Sequence, residues 1–400
     1  MNIQMILSDN LYPPDIRVKK ESKSLSKAGH SVFLLCRKGK SQKSEETLDQ
    51  IKINRVNLPF YDVQSLGGFL YYFLYRYLLV FHIIKTSVKN RADVLHVHDL
   101  PLALATCVAG RLLKKPVVFD MHEDYVEMIY SWGFKTEKGI KSAAIILLSK
   151  ILAIEEKFCL KCVDRIIVVV EEEIDRLVKM GYPKEKIFVV HNAVDLDELD
   201  NISEVVSETS GLQKFDKKFI ISYVGGFSNH RGLETLLKAM PLIISSIPEA
   251  HLILVGDGLI EAKLRNLVRE LKLDNHVTFT GWIPFIEAMK YIKISNLCAL
   301  PYDRDRLTEK SFPHKMCQYM YYGKPILASD VASLKRMISE SKCGIIFQAG
   351  NHKDLAMKVI EAKSKGMLEQ LGKNGKMVAE TRFNWEKSAN TLVGLYNTLS

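Results

Sequence analysis

The sequence has no apolar run long enough to cross a membrane. Its most apolar segment, residues 69–84, is interrupted by Arg76 and His82 and is shorter than the ~20 residues a spanning helix needs. Its tyrosines and arginine favour a helix at a bilayer interface, and a helix packed on a sheet fits equally well. No basic region with a long apolar core follows Met1, so we expect a strand there and not a signal peptide. We predict a cytoplasmic protein that can associate with the inner face of the cytoplasmic membrane through 69–84.

Cysteine is scarce and irregularly spaced. The seven cysteines are an odd number without a regular framework, which favours a reduced, cytosolic compartment over a disulfide-linked secreted protein. Cys159 and Cys162 form a C-x-x-C motif, but no second pair exists and both fall late in a predicted helix. We expect both to pack in the protein and not to bind metal or carry redox chemistry.

A convincing aspartate pair for a divalent metal is also missing. We interpret Asp303-Arg304-Asp305 as a solvated charge run. We expect His96 and His98 to point to opposite faces of their strand and therefore not to chelate one ion, with His96 internal and His98 at the strand end. The prediction is that the protein requires neither metal nor cofactor.

The charge balance is basic but carries no signature of nucleic-acid binding. The net charge is +10, yet the lysines are spread along the chain among 46 acidic residues. No arginine-rich arm, recognition motif or zinc spacing is present. We therefore expect a solvated basic face suited to anionic lipid or nucleotide phosphates, and no nucleic-acid partner.

Short β-branched runs alternate with longer amphipathic stretches along the whole chain, a pattern typical of parallel sheets covered by helices. The fold class is α/β, with two doubly wound domains. The pattern stops at a polar segment rich in Asp, Glu, Ser and Asn and then restarts. We predict a first domain at 1–195, a linker at 196–217, a second domain at 218–382 and a C-terminal helix at 383–400.

One run of the second domain predicts an anion site. Pro313 suits the start of a helix, and Gly323 is placed to end that helix. The unpaired N–H groups near His314 and Lys315, together with the lysine charge, would stabilise a phosphate group. An ordinary capped helix that binds nothing explains this run equally well.

Polar and glycine-rich segments follow the predicted strands, where ligands bind in open α/β sheets. Gly225-Gly226 follows one strand, Arg231 opens the next helix, and Gly256-Asp257-Gly258 follows the neighbouring strand. Glycine allows close approach of backbone to ligand, and arginine can bind phosphate oxygens in bidentate fashion. Neither glycine segment completes G-x-G-x-x-G, so a nucleotide diphosphate is favoured over NAD.

Short motifs recur in a characteristic order along nearly the whole chain. The second half contains Tyr223-Val224-Gly225, Arg231-Gly232-Leu233, Val255-Gly256-Asp257-Gly258, Thr280-Gly281, Leu300-Pro301-Tyr302 and the run from Phe312 to Ser329. The first half contains Pro13-Pro14-Asp15-Ile16-Arg17-Val18, Ala28-Gly29-His30, His96-Val97-His98-Asp99 and Asp120-Met121-His122-Glu123, and Phe383-Asn384-Trp385-Glu386 precedes the last helix. The set resembles the retaining glycosyltransferases of group 1 (family 4), whose GT-B fold has two Rossmann-like domains facing a cleft.

The resemblance implies a nucleotide-sugar donor in the second domain and an acceptor on the first. His122, Arg231 and Lys315 are then the expected catalytic residues, with His122 orienting the donor sugar or assisting proton transfer. The expected donor-binding residues are Gly225, Gly226, Arg231, Gly256, Lys310, Pro313, His314, Lys315 and Gln318. The expected acceptor-side residues are Pro14, Asp15, Arg17, His98, Asp99 and Glu123. Gln318 replaces the family's second glutamate, which binds the ribose.

Two positions depart from the family pattern. Gly226 stands where many relatives have an arginine, and Lys310 stands where the family has its first glutamate, with Glu309 one position earlier. Either Glu309 or Lys310 would then meet the donor sugar. The pattern Pro313-x-Lys315-x-x-Gln318-Tyr319-Met320 resembles a subset of the family with P-x-K-x-x-[E/Q]-Y-M.

The resemblance predicts a hexosyltransferase that moves a sugar from a UDP- or GDP-sugar to a saccharide or lipid-linked saccharide, as in cell-surface polysaccharide or glycoconjugate synthesis. Two alternatives stay open. The first is a catalytically inactive protein of the same fold that binds sugar nucleotides. The second is a sugar-nucleotide epimerase of the same architecture.

Overall fold

The computed structural model describes residues 1–7, 12, 15–57, 66–136, 139–205 and 211–399. Its strands are β1 Asn2–Leu7, β2 Ser31–Arg37, β3 Glu45–Leu48, β4 Ile51–Val56, β5 Val94–His98, β6 Val117–Met121, β7 Arg165–Val168, β8 Ile187–Val189, β9 Phe219–Val224, β10 Ala250–Val255, β11 Val277–Gly281, β12 Leu297–Leu300, β13 Ile326–Ser329 and β14 Gly344–Phe347. Its helices are α1 Ile16–Lys27, α2 Leu66–Lys89, α3 Leu100–Leu113, α4 Tyr125–Thr136, α5 Ile140–Leu160, α6 Glu172–Lys179, α7 Leu196–Val205, α8 Leu233–Ser246, α9 Glu261–Glu270, α10 Phe285–Ile294, α11 His314–Tyr321, α12 Ala332–Ser341, α13 His352–Ser364, α14 Leu368–Thr381 and α15 Trp385–Asn397.

The chain forms two compact units. The first contains Met1–His191 and Ser388–Ser400, and the second contains Asn192–Lys387. Helix α15 therefore begins in the second unit and continues into the first. The prediction placed the end of the first domain at 195 and the second domain at 218–382, so the segment predicted as a linker, 196–217, falls inside the second unit.

The first unit is built on a sheet with the order β3-β4-β2-β1-β5-β6-β7-β8. Successive strands extend from β1 in one direction and from β5 in the other, as in a doubly wound sheet. All neighbours are parallel except the antiparallel pair β3 and β4. The alternation of β-branched runs in the sequence does not mark β3 or β4, because β3 is a short polar strand and β4 is only half buried.

The second unit has an entirely parallel sheet with the order β11-β10-β9-β12-β13-β14. Its central strands are buried along their whole length, which explains their continuous apolar sequences. The strand order reverses between β9 and β12, so the carboxyl ends of these two strands flank the position where open α/β sheets bind ligands. The prediction of two α/β domains with parallel sheets is confirmed.

The polar segment 196–217 is not a plain linker. Its first part is α7, which begins beside Asp195, whose carboxylate accepts a hydrogen bond from the Glu198 N–H at 3.4 Å. Leu199 on this helix is buried. Asp195 therefore caps the helix, and Asp197, Glu198 and Asp200 lie on its exposed side.

The apolar segment 69–84 belongs to α2. Among the helices in the described part of the chain, none combines the length and the apolar character needed to span a bilayer. Ile83, near the end of this segment, packs in the hydrophobic core of the first unit. The expectation of a helix packed on a sheet is confirmed for this part.

Candidate active site

The glycine segment after β9 lies directly beside the side chain of Lys315. Gly225 has φ +134°, and a β-carbon at this position would collide with the Lys315 ammonium. The ammonium lies 4.0 Å from the centre of the Tyr223 ring, and the Tyr223 hydroxyl donates to the Gly226 carbonyl at 2.9 Å. Strand β9 and helix α11 thereby place a lysine ammonium against an open glycine loop.

A second cation follows in the same loop. Arg231 ends a short 3-10 turn, and its guanidinium carbon lies 4.8 Å from the centre of the buried Tyr302 ring. Gly232 has φ +62°, and a β-carbon there would overlap the Pro301 carbonyl, so this turn sits directly on the segment after β12. Burial, and then the nearby Arg231 charge, lower the pKa of Lys315 well below its usual value.

The segments after β9, β10 and β11 are joined by backbone contacts. Phe227 N–H donates to the Asp257 carbonyl at 2.7 Å, and Gly256 N–H donates to the Gly281 carbonyl at 3.1 Å. A β-carbon on Gly256 would overlap the Gly225 backbone. The structure therefore brings the predicted strand-end glycines to one edge of the second unit's sheet.

Helix α11 begins at His314, with Pro313 immediately before it, and its chain turns at Gly323 with φ +62°. This agrees with the prediction to within one residue. The Tyr319 hydroxyl accepts a hydrogen bond from the Val224 N–H at 3.1 Å, which anchors the helix to β9. Gln318 lies one turn after Lys315, and its half-buried side-chain amide has no hydrogen-bond partner among the described residues. It is therefore available to a ligand.

Glu309 is engaged elsewhere. Its carboxylate accepts a hydrogen bond from the Ala332 N–H at the start of α12 and lies 3.4 Å from the Arg304 guanidinium. A carboxylate at a helix N-terminus is stabilised by the helix dipole. The Glu309 carboxylate is therefore held by contacts within the second unit.

The interpretation of Asp303-Arg304-Asp305 as a solvated charge run is wrong. Asp305 accepts hydrogen bonds from the backbone N–H groups of Leu307 and Thr308 at 3.0 and 2.9 Å, and its carboxylate also pairs with His230. Arg304 is exposed but binds Asp330 at 2.8 Å. The run is an ordered turn, because the Asp305 carboxylate accepts from backbone donors that the charge pattern alone does not reveal.

In the first unit, His122 lies between two carboxylates. Its Nδ1 is 3.4 Å from Asp99 Oδ2, and its Nε2 is 3.2 Å from Asp120 Oδ2. Burial alone would lower the pKa of His122, but Asp99 and Asp120 outweigh it and raise the pKa to about 9. At neutral pH the ring is a cation with both nitrogens protonated.

Asp120 also binds Arg17. The Arg17 guanidinium donates to both Asp120 oxygens at 2.9 and 3.1 Å and to the Val190 carbonyl at 3.0 Å. Burial opposes ionisation of Asp120, but the Arg17 and His122 charges hold its pKa well below the usual range. Asp120 therefore holds the His122 ring in position, a role that the motif Asp120-Met121-His122-Glu123 did not reveal.

The predicted acceptor-side residues fall into three groups. Arg17 and His98 are buried, so any effect on an acceptor would be indirect. Asp15 caps α1 by accepting from the Val18 N–H at 2.9 Å, and Glu123 is exposed beside His122 in sequence. Pro14 lies outside the described residues.

The expectation that His96 and His98 point to opposite faces is wrong. Side chains two positions apart lie on the same face of a strand, and these two rings stack with their centres 4.5 Å apart. Together with Glu21 and Asp120 they form a buried group of ligand atoms within 4.8 Å of one another, of a size that could hold a metal ion. The guanidinium of Arg17 lies 2.9 Å from both carboxylates and already supplies a positive charge there.

An exposed aromatic residue lies at the same edge of the second unit's sheet as the strand-end glycines, and it was not predicted. Trp282 follows β11 directly and is 73% exposed. Its neighbour Gly281 is hydrogen-bonded to Gly256. The signal that could have identified it is a tryptophan directly after the Thr280-Gly281 motif, at the carboxyl end of a strand.

Two family models match the chain, one for each half. Glycosyltransferase Family 4 matches residues 16–198, and Glycosyl transferases group 1 matches residues 208–378. A protein from the cps region of Klebsiella pneumoniae is 27% identical over 70% of each chain, and the phosphatidyl-myo-inositol mannosyltransferase of Mycobacterium leprae is 21% identical over 78% of this chain and 75% of its own.

Among solved structures, Anabaena Alr3699/HepE in complex with UDP covers all of both chains with a TM-score of 0.73 at 15% identity. The same protein was solved with UDP-glucose, with a TM-score of 0.68 and 99% of each chain covered. This likeness establishes the GT-B fold of two parallel-sheet α/β domains. The chain belongs to the group 1, family 4 glycosyltransferases and is an enzyme that transfers a sugar from a nucleotide-sugar donor.

Proposed function

We propose that the enzyme transfers a hexose-type sugar, with retention of anomeric configuration, from a UDP- or GDP-sugar to a saccharide or lipid-linked saccharide. The single observation that supports the donor class best is the pair of cations at the glycine loop, Lys315 beside Gly225 and Arg231 in the following turn. A diphosphate is the ligand part that two adjacent cations and an open backbone suit. The complexes of Alr3699/HepE with UDP and UDP-glucose support the same choice.

Lys315 supplies the charge that Gly226 does not. No carboxylate among the described residues pairs with Lys315, and its ammonium faces the loop where relatives have an arginine. A diphosphate bound there would restore the pKa of this lysine by charge attraction. In the transition state the same ammonium and Arg231 stabilise the charge that develops on the leaving diphosphate.

The start of α11 completes the donor site. The second residue of a helix has no intrahelical acceptor for its N–H, so the amide of Lys315 can donate to a phosphate oxygen together with the helix dipole. His314 and Pro313 hold this end of the helix in place. Gln318, one turn on, then binds the ribose, since its amide both donates and accepts. Lys310 contacts the donor sugar or its phosphate.

His122 acts as a fixed hydrogen-bond donor and not as a general base. Both ring nitrogens face carboxylates, and its raised pKa keeps the ring charged at neutral pH. A cationic ring stabilises negative charge that develops nearby. Its Nε2 is bound to Asp120 at 3.2 Å, so Nδ1, 3.4 Å from Asp99, is the nitrogen that would orient a sugar hydroxyl. The proton of the attacking hydroxyl must then go to another group, and we assign it to the leaving phosphate oxygen.

We propose that the reaction needs no divalent metal, because Lys315 and Arg231 provide the positive charge that a metal supplies to a diphosphate elsewhere. Activity should persist after chelation with EDTA and dialysis. Loss of activity that added Mg²⁺ or Mn²⁺ restores would reject this part of the proposal.

The function is tested with purified full-length protein and a panel of UDP- and GDP-sugars. Thermal unfolding with each donor identifies the base, because ligand binding to the folded state raises its stability. Transfer to saccharide acceptors is then followed, and NMR of the product shows whether the anomeric configuration is retained. An absence of donor binding and turnover across the panel would refute the proposal, and an inverted product would refute retention.

Two alternatives are separated by the same assays. Lys310 in place of a glutamate, with Glu309 engaged at α12, is the observation that favours a binding protein without catalysis. Donor affinity without transfer or hydrolysis under any condition would support that alternative. Conversion of the donor in the absence of any acceptor would instead identify an epimerase.

A further inference from the structure

Helix α5 carries an exposed stripe of alternating apolar and basic residues. Leu147, Ile154 and Phe158 are 55%, 71% and 48% exposed. Lys150 and Lys157 are exposed between them. Their spacing of three, four, three and one residues places all five on one side of the helix. Large apolar side chains at this exposure, regularly interleaved with lysine, need an explanation beyond folding.

The outer sides of α2 and α3 continue this pattern. Phe81 and Val88 on α2 are 65% and 62% exposed, with Lys85 between them, and Leu112 on α3 is 66% exposed beside Arg111. Helix α3 packs against both α2 and α5, and the inner sides of all three helices belong to one core. Their outer sides therefore form one surface of the first unit, which we call the basic apolar face.

The basic apolar face has no exposed acidic residue on its three helices. The sequences of α2 and α3 contain neither aspartate nor glutamate. The two glutamates of α5, Glu155 and Glu156, are buried, and Glu156 binds Arg176 at 2.9 Å. Lys89 at the end of α2 is paired with Glu45, so it adds little charge. The remaining exposed charges on the face are positive.

We propose that the basic apolar face docks the enzyme on the surface of an anionic lipid bilayer. Phe81, Leu112 and Ile154 would enter the headgroup region, while lysines such as Lys150 reach up to the phosphates with their long apolar stems buried. A second copy of this chain fits less well, because two uniformly basic faces repel each other. This surface is wider than the segment 69–84 predicted from sequence, since α3 and α5 contribute most of its residues.

The proposal is tested by flotation of the full chain with phosphatidylcholine vesicles, with and without phosphatidylglycerol, in the absence of any sugar donor. The variants are Lys150→Glu with Lys157→Glu and, separately, Phe81→Ser with Ile154→Ser. The matched control is Lys353→Glu with Met357→Ser, an exposed lysine and an exposed methionine on α13 of the second unit. Circular dichroism and the thermal midpoint establish that each variant is folded.

The wild type and the control should float with the anionic vesicles, and added salt should release them. Each lysine near an anionic surface contributes roughly a fivefold change in partitioning, so the lysine variant should bind at least tenfold more weakly. The serine variant should lose binding even at low salt. Failure of the wild type to float, or unchanged flotation of both face variants, would overturn the proposal. So would a stable dimer in sedimentation velocity that the serine variant dissociates, since the face would then join two copies.

Discussion

The ammonium of Lys315 occupies the space that a β-carbon at Gly225 would need. This contact joins the end of β9 to the start of α11, and its two residues are 90 positions apart in the sequence. It explains why the loop has glycine at that position and how a cation is placed against it. The proposed donor site rests on this pair.

Gly225→Ala should therefore impair donor binding far more than Gly226→Ala. Alanine at φ +134° is strained by about 1–3 kcal/mol, and its methyl group would displace Lys315. A β-carbon on Gly226 would have its nearest neighbour at 3.9 Å, an ordinary contact. Because of this strain, we expect kcat/KM to fall at least tenfold for Gly225→Ala. For Gly226→Ala, which is unstrained, kcat/KM should stay within about twofold of the wild type. Equal effects of the two substitutions in steady-state assays would contradict this geometry.

The pKa of His122 should be measurable by NMR titration of its ring protons. We expect a value of about 9 in the wild type. Because the folded-state value is raised, the ionised ring stabilises the fold fully below its unfolded value near 6.5, and this contribution is lost as the pH rises through about 9. Asp99→Asn removes one of the two carboxylates and should lower the pKa. A wild-type value near 6.5, unchanged by Asp99→Asn, would restore His122 as a candidate general base.

Glu309 and Lys310 should separate stability from catalysis. Glu309→Ala removes the carboxylate that binds the Ala332 N–H and should lower the free energy of unfolding by about 1 kcal/mol, with little change in kcat/KM. Lys310→Ala should lower kcat/KM or change the preferred donor sugar. The opposite division of effects would mean that Glu309 is the residue that meets the sugar.

Trp282 should bind the nucleotide base by stacking. Stacking of a base on an aromatic side chain contributes about 1–3 kcal/mol, so Trp282→Ala should raise the Kd for the nucleotide roughly five- to 150-fold. Phe285→Ala is the control, because Phe285 is also partly exposed but starts the next helix. Isothermal titration with UDP and GDP measures both variants. Similar affinities for Trp282→Ala and the wild type would place the base elsewhere.

The framework of the fold was predictable from sequence, since the alternation of short β-branched runs with amphipathic stretches corresponds to two sheets of largely parallel strands with helices between them. β9, for example, is a continuous apolar run that the structure buries on both faces. β3 escaped because its residues Glu45–Leu48 are polar and lie at the sheet edge. The sequence of β4, by contrast, starts with alternating apolar and polar residues, a pattern typical of a half-buried strand that could have identified it.

The parts of the candidate site that depend on local backbone conformation were predictable from the sequence. The parts that depend on contacts between residues far apart in the sequence were not. Pro313 and Gly323 mark α11 because their conformational preferences are intrinsic. The contact of Arg17 with Asp120 joins residues on separate elements, and no local pattern announces it. The charge state of His122 depends on that contact and on Asp99, so it could be inferred only from the assembled structure.

The central claim is that Lys315 and Arg231 hold the donor diphosphate. It is tested most directly by isothermal titration of UDP and GDP into the wild type, Lys315→Met, and Lys315→Met with Arg231→Met, with Lys353→Met as the control. Each charge-assisted hydrogen bond contributes about 1.5–3 kcal/mol, so Lys315→Met should weaken binding roughly ten- to 100-fold and the double variant more. The control should bind like the wild type. Wild-type affinity for one of the two nucleotides in the folded double variant would contradict the account.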